Sequence, residues 1–254
     1  MSGLRTFSGG LVAAAALAVA GAAGLAAAEA GPLSPDLARL LARSDPFAAA
    51  PAELRLELSF VGANGAEVPL EIWRKGDERA LVRFLAEKDR GKYVLRRGAE
   101  VWLITPGAKE PVKMSPALAP AGGAALDELL GLRLSDDYRA VAVSEGSGVV
   151  TYDLEGIRAE VDPPKVRWVV GRTKGLPLRA EFRDAQDRVR RLVEFTAWSD
   201  ETKRVPAEIV AKEVGRGTPL TVRIHALEPR AVPEAIFEPA DRAARDALPP
   251  PPAR

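Results

Sequence analysis

The chain contains no cysteine and a single histidine, His225. It therefore cannot form a disulfide, a cysteine nucleophile, a Cys-based zinc site or a cluster of histidine ligands. Charge of one sign is also missing: 36 Lys+Arg face 35 Asp+Glu, a formal net charge of +1. That balance gives no basic excess to grip nucleic acid, so no nucleic-acid partner is expected. Aromatic residues are few, at 6%. What remains is an ordinary foldable composition, 254 residues with 47% hydrophobic side chains, enough for one substantial domain or two small ones.

Long apolar runs are absent except at the start. Arg5 is the only charge in residues 1–10, and residues 11–28 then run uncharged through LVAAAALAVAGAAGLAAA to Ala28-Glu29-Ala30. This is the order of a secretory signal: a cationic stretch, an apolar stretch and a small-x-small cleavage site. The competing reading is an uncleaved anchor, since 18 apolar residues just reach across a bilayer. Against it, 12 of residues 11–30 are alanine, which is weakly apolar. We expect cleavage after Ala30, a mature chain outside the cytoplasm, and no diacylated anchor, because that anchor needs a cysteine. A domain without disulfides in that space must hold together by its core.

From residue 31 the pattern alternates between two periods. Ser34-Pro35-Asp36 followed by Leu37, Leu40 and Leu41 predicts an N-capped amphipathic helix over 35–44. At Leu54 the period becomes two: Leu54, Leu56, Leu58 and Phe60 alternate with Arg55, Glu57 and Ser59, and Gly62-Ala63-Asn64-Gly65 turns the chain toward Val68, Leu70 and Ile72. Similar runs follow at 80–85, 92–96, 100–105, 149–154, 157–161, 167–170, 178–182, 188–198, 207–214 and 220–227, about a dozen strands in all. Short strands joined by brief polar turns predict an antiparallel meander. Residues 115–145 break the alternation, and Leu126, Leu129 and Leu130 with Asp127 and Glu128 predict a second helix near 122–131. The Pro-rich end, residues 241–254, is expected to be a disordered tail, because proline cannot donate to a ladder.

Several stretches together resemble the outer-membrane lipoprotein-sorting protein family with the LolA/LolB-like fold. They are Trp73 to Phe84 (WRKGDERALVRF), Gly91 to Arg96, Glu100 to Pro106, Gly175 to Arg179, Val205 to Ile209, Thr218 to Val222 and Val232 to Phe237. The middle departs from the family pattern: Leu126 to Tyr138, LDELLGLRLSDDY, stands where many relatives carry a Gly-Ser-rich segment and an acidic-aromatic motif. The resemblance implies a mainly β domain with short helices over residues 31–240. Its single curved antiparallel sheet would form an incomplete β-barrel covered on its concave side by helices. It also implies an apolar cavity for lipid or lipoprotein acyl chains, no cofactor, and hand-over to a membrane transporter or outer-membrane acceptor by a monomeric periplasmic carrier. The alternative within the same fold is an envelope-stress sensor or regulatory module that binds protein.

The residues themselves offer little covalent chemistry. His225 alternates onto the polar side of its strand, and Asp136-Asp137 lies in a polar turn. Arg188, Arg190 and Arg191 suit either a guarded edge strand or contact with lipid headgroups or an acidic partner. The cavity candidates are the apolar alternates Leu56, Leu58, Phe60, Ile72, Val82, Phe84, Trp102, Phe182, Val193 and Phe195. A filled core and a lipid cavity use such residues equally, and alternation alone leaves both open.

Overall fold

The computed structural model describes residues 32–47, 50–62, 64–114, 132–200, 205–215 and 218–250. The signal segment, the helix expected near 122–131 and residues 251–254 lie outside the described residues.

Among the described residues thirteen strands form: β1 (Glu53–Val61), β2 (Glu67–Lys75), β3 (Arg79–Phe84), β4 (Tyr93–Arg97), β5 (Glu100–Ile104), β6 (Val112–Met114), β7 (Tyr138–Gly146), β8 (Val149–Gly156), β9 (Lys165–Gly171), β10 (Pro177–Arg183), β11 (Val189–Asp200), β12 (Val205–Glu213) and β13 (Leu220–Pro229). They form one sheet in the order β6-β5-β4-β3-β2-β1-β13-β12-β11-β10-β9-β8-β7, every pairing antiparallel. The sheet is thus two meanders joined where β13 returns to β1, and it does not close: β6 and β7 are its two edges. The first hairpin turns as its residues require. Gly65 takes a φ of 76°, the left-handed region that only glycine enters at no steric cost.

Period two sorts the side chains into two faces. On the concave face the pairing Leu56↔Ile72↔Val82↔Val94 carries an apolar row across four strands, and Leu58↔Leu70↔Phe84 a second. On the other side of the sheet, Val143↔Tyr152↔Trp168↔Ala180↔Val193 continues the face through β7 to β11. Helix α1 (Pro35–Ser44) lies on this second part. Ser34 caps it by accepting from the Leu37 amide at 3.3 Å, and its Leu40 and Leu41 are buried in the same core as Tyr152 and Trp168. Two hydrogen bonds lock it down: Tyr152 Oη donates to the Leu37 carbonyl at 2.9 Å, and Trp168 Nε1 donates to Ser44 Oγ at 2.9 Å. Asp45, just past the helix, accepts from the Leu134 amide at 3.3 Å and so ties α1 to α2 (Leu134–Asp137).

The convex face has its own, smaller core. Trp73, Leu81, Tyr93 and Leu95 line up across β2, β3 and β4, covered by Val232, Ile236, Phe237 and Leu248 from the chain after β13. That strap contains a 3-10 turn at Glu234–Phe237 and helix α3 (Arg242–Asp246), N-capped by Asp241. The expected disordered tail is therefore corrected over its described part: the chain is packed as far as Pro249. Its prolines need no ladder donor there, since carbonyls do the bonding. Arg83 donates to the Pro249 carbonyl at 2.9 Å, and Arg245 donates to those of Glu238 and Pro239 at 2.6 and 2.9 Å.

Three other expectations change. Residues 157–161 form no strand but a bend, with the Ile157 amide donating to the Asp137 carbonyl at 2.9 Å and Pro163-Pro164 following before β9. Tyr138–Gly146, read as part of a helical interruption, is the edge strand β7. Its alternation is hidden by a bulge between Ala140 and Ala142, which shifts the inward set by one residue. Finally, Arg190 and Arg191 are not on an edge, because β11 is interior, between β10 and β12, and Arg188 lies in the turn just before that strand.

Candidate functional site

The ten apolar alternates divide between the two faces. Leu56, Leu58, Ile72, Phe182, Val193 and Phe195 are buried in the concave core, and Phe60, Val82 and Phe84 pack against it while partly exposed. Trp102 is the correction. It pairs with Leu95 and packs with the convex core, its ring 5.9 Å from the Arg97 guanidinium. Leu103 and Val101 take the inward places on β5, and because β5 is apolar on both faces, alternation alone did not show which set was which.

The concave face is not uniform. Its β8–β10 part is filled: Val150, Tyr152, Trp168, Val170 and Ala180 are fully buried beside α1. Burial raises the hydroxyl pKa of Tyr152 to about 12, and that of Tyr138 further still, with Tyr138 Oη donating to the Pro163 carbonyl at 2.8 Å. Trp168 meets Phe195 edge-on at 5.6 Å and Phe195 stacks on Trp198 at 6.1 Å, a chain of aromatic contacts that spans β9 to β11. In the β1–β3 part Leu54, Leu56, Leu58, Leu70 and Ile72 are buried too, and Phe60, Val68, Val82 and Phe84 pack against them as a strip that remains partly exposed. The strip is bordered by Lys92, whose ammonium lies 3.6 Å from Asp89.

The polar residues weighed from the sequence lie elsewhere. His225 is exposed on the convex side, its Nε2 2.9 Å from Ser59 Oγ. Asp137 pairs with Arg158. Arg188 pairs with Asp184 at 2.7 Å, Arg190 with Asp162 at 3.2 Å, and Arg191 Nε donates to Glu213 at 2.7 Å. A cavity of about 280 Å³ on the convex face, bordered by Asp153, Glu155, Lys165, Arg167, Arg183 and Asp187, is bridged by its own ion pairs. Arg167, for example, holds Asp153 through bonds of 2.6 and 3.0 Å. Among the described residues no group of three or more histidines and carboxylates is arranged to hold a metal ion.

A family profile described as "Uncharacterized protein" matches residues 76–241, more than half of the chain. The chain belongs to that family. No curated protein matches it by sequence. Solved structures give the architecture. A LolA superfamily protein from Nitrosomonas europaea superposes with a TM-score of 0.60 at 18% identity, covering 78% of this chain and 96% of that one. A DUF1329 family protein from Desulfovibrio piger gives 0.55 at 19% identity, over 79% and 95%. An outer membrane lipoprotein-sorting protein domain from Vibrio parahaemolyticus gives 0.55 at 13% identity, over 80% and 94%. The fold is LolA-like, an open antiparallel sheet with helices on its concave side, as the sequence resemblance implied.

Proposed function

We propose that the protein is a non-enzymatic carrier of lipid or lipoprotein acyl chains, working in the periplasm after signal cleavage. The observation that carries this reading is the partly exposed concave strip of Phe60, Val68, Val82 and Phe84, packed against the buried apolar rows of β1 and β2. A strip of this kind removes hydrocarbon from water at roughly 0.8 kcal/mol per methylene, enough to hold an acyl chain without a covalent step. Two further facts support it: a relative in structure is an outer membrane lipoprotein-sorting protein domain, and the uncharged run at 11–28 ends in Ala28-Glu29-Ala30. Hand-over would be to a membrane transporter or an outer-membrane acceptor.

The test is organic extraction of the mature protein purified from an envelope fraction, with mass spectrometry of the extract, and thermal melting across a lysolipid titration. A carrier yields bound acyl lipid and a midpoint that climbs with lipid concentration, by linkage of binding to the native state. No extracted lipid together with a flat midpoint overturns the reading and favours the protein-binding regulatory module.

A further inference from the structure

The register shows which charges share the concave face with the exposed strip. From β1 to β5 the inward positions of the strands are apolar except for Arg74 on β2 and Arg96 on β4, and Lys92, just before β4, stands opposite Phe84 on the same face. Among the described residues the inward charges on these strands are thus cations, with Asp77 and Asp89 facing them from the adjoining turns, whereas the convex face of the same strands mixes Glu53, Glu57, Glu67 and Glu71 with its arginines and lysines. The three cations are not equivalent. Arg74 and Arg96 sit at the far end and hold the β2–β3 turn: Arg74 donates to the Gly76 carbonyl at 2.8 Å and pairs with Asp77, and Arg96 donates to the Asp77 carbonyl at 2.7 Å. Lys92 is at the strip itself. Its Nζ lies 4.9 Å from the Phe84 ring centroid and 3.6 Å from Asp89, and its side chain keeps 33% of its exposure.

We propose that the strip takes a single acyl chain ending in a carboxylate, with the chain on Phe60, Val68, Val82 and Phe84 and the carboxylate on the Lys92 ammonium. This deepens the carrier reading and rests on it. A long-chain fatty acid has the required form, an apolar tail with one negative charge at its end. One lysine matches that single charge, and its ammonium already keeps a carboxylate, that of Asp89, within ion-pair range. With Arg74 and Arg96 engaged at the Asp77 turn, Lys92 is the cation nearest the strip; it shares its charge with Asp89, and an uncharged head gains no ion pair from it.

Competition binding of oleate against oleyl alcohol, which has the same chain and no charge, tests this at pH 8 on the mature protein. Oleate should bind about tenfold tighter, the increment expected of one charge-assisted contact. Lys92→Gln should erase that preference, bringing oleate to the affinity of oleyl alcohol, and Lys92→Arg should restore most of it. Lys88→Gln, on the exposed side of the same loop, should change neither. Equal binding of the two ligands by the wild type, or equal loss in the Lys92 and Lys88 variants, overturns the headgroup assignment and leaves the acyl carrier standing. Binding of neither ligand by a protein that melts normally overturns both.

Discussion

Tyr152 and Trp168 each bury a large ring in the concave core and spend the single polar atom of that ring on α1. The arrangement makes the pH dependence of Tyr152 a measure of docking. Its folded pKa is raised to about 12 from an ordinary value of 10.0, so the neutral phenol is favoured in the native state. The stability this confers is complete below pH 10 and is lost as pH rises toward 12. Tyr152→Phe should therefore flatten the alkaline limb of a pH-melting series while lowering the neutral-pH midpoint through the lost bond to the Leu37 carbonyl. An alkaline limb unchanged by the substitution would remove Tyr152 from the account. At this scale the sequence was read well where one face was apolar and the other polar, as at Leu54 to Phe60. It was read badly at Trp102, because β5 is apolar on both sides, and passed over Trp73, because that ring stands between Glu71 and Lys75 on the otherwise polar outer side of β2. Glu71 was missed for a related reason. Nothing in EIWRK announces that a fully buried carboxylate accepts from Arg55 Nε at 2.5 Å and Trp73 Nε1 at 2.8 Å while also pairing with Arg83. Its partners come from three strands, and only the register brings them together.

Among the elements, α1 was legible to its ends because its signals are local: cap, proline, acidic first turn and one apolar stripe. The C-terminal strap was not, since its order comes from a surface made of β2, β3 and β4. It is bound there by side chains of both kinds. Ile236 and Phe237 are almost fully buried against Trp73, Leu81 and Leu95, and ion pairs fasten the rim, with Arg79 on Glu234 at 2.6 Å and Arg97 on Glu238 at 2.9 Å. The Val232 amide donates to Glu53 at 2.7 Å, and that bond, followed by Lys75, holds the Glu53 carboxyl below its usual range. The rim pairs are solvent-exposed and contribute little. The buried rings carry the docking, so Phe237→Ala should destabilise by about 3–5 kcal/mol in denaturant melts. Glu238→Gln, which breaks only the rim pair, should cost less than about 1 kcal/mol. Equal effects of the two would mean that the strap is held by charge and not by its apolar side.

For the whole molecule, what the sequence revealed was the sheet, and what it left open was how evenly the sheet is covered. A run of strands with short turns implies an antiparallel meander of about a dozen strands; the edge strands β6 and β7 and the return of β13 to β1 were not read. Whether an apolar face is filled depends on which residues lie over it, which period two does not record. The structure separates the two conditions within one face: Leu58 is fully buried, whereas Phe84, two strands away in the same row, is not. Enlarging each to tryptophan therefore tests the division directly. Leu58→Trp must force neighbours out of close packing and should lower stability by about 1–3 kcal/mol, as overpacked cores do. Phe84→Trp adds its volume toward an unfilled strip and should leave the melting midpoint near that of the parent. It should also compete with ligand, since the larger ring takes the space of the acyl chain, so the lipid-induced rise in midpoint should shrink in Phe84→Trp and persist, from a lower base, in Leu58→Trp. A Phe84→Trp protein that melts as low as Leu58→Trp would mean that the strip is packed core after all, and the acyl site would have to be withdrawn from β1–β3.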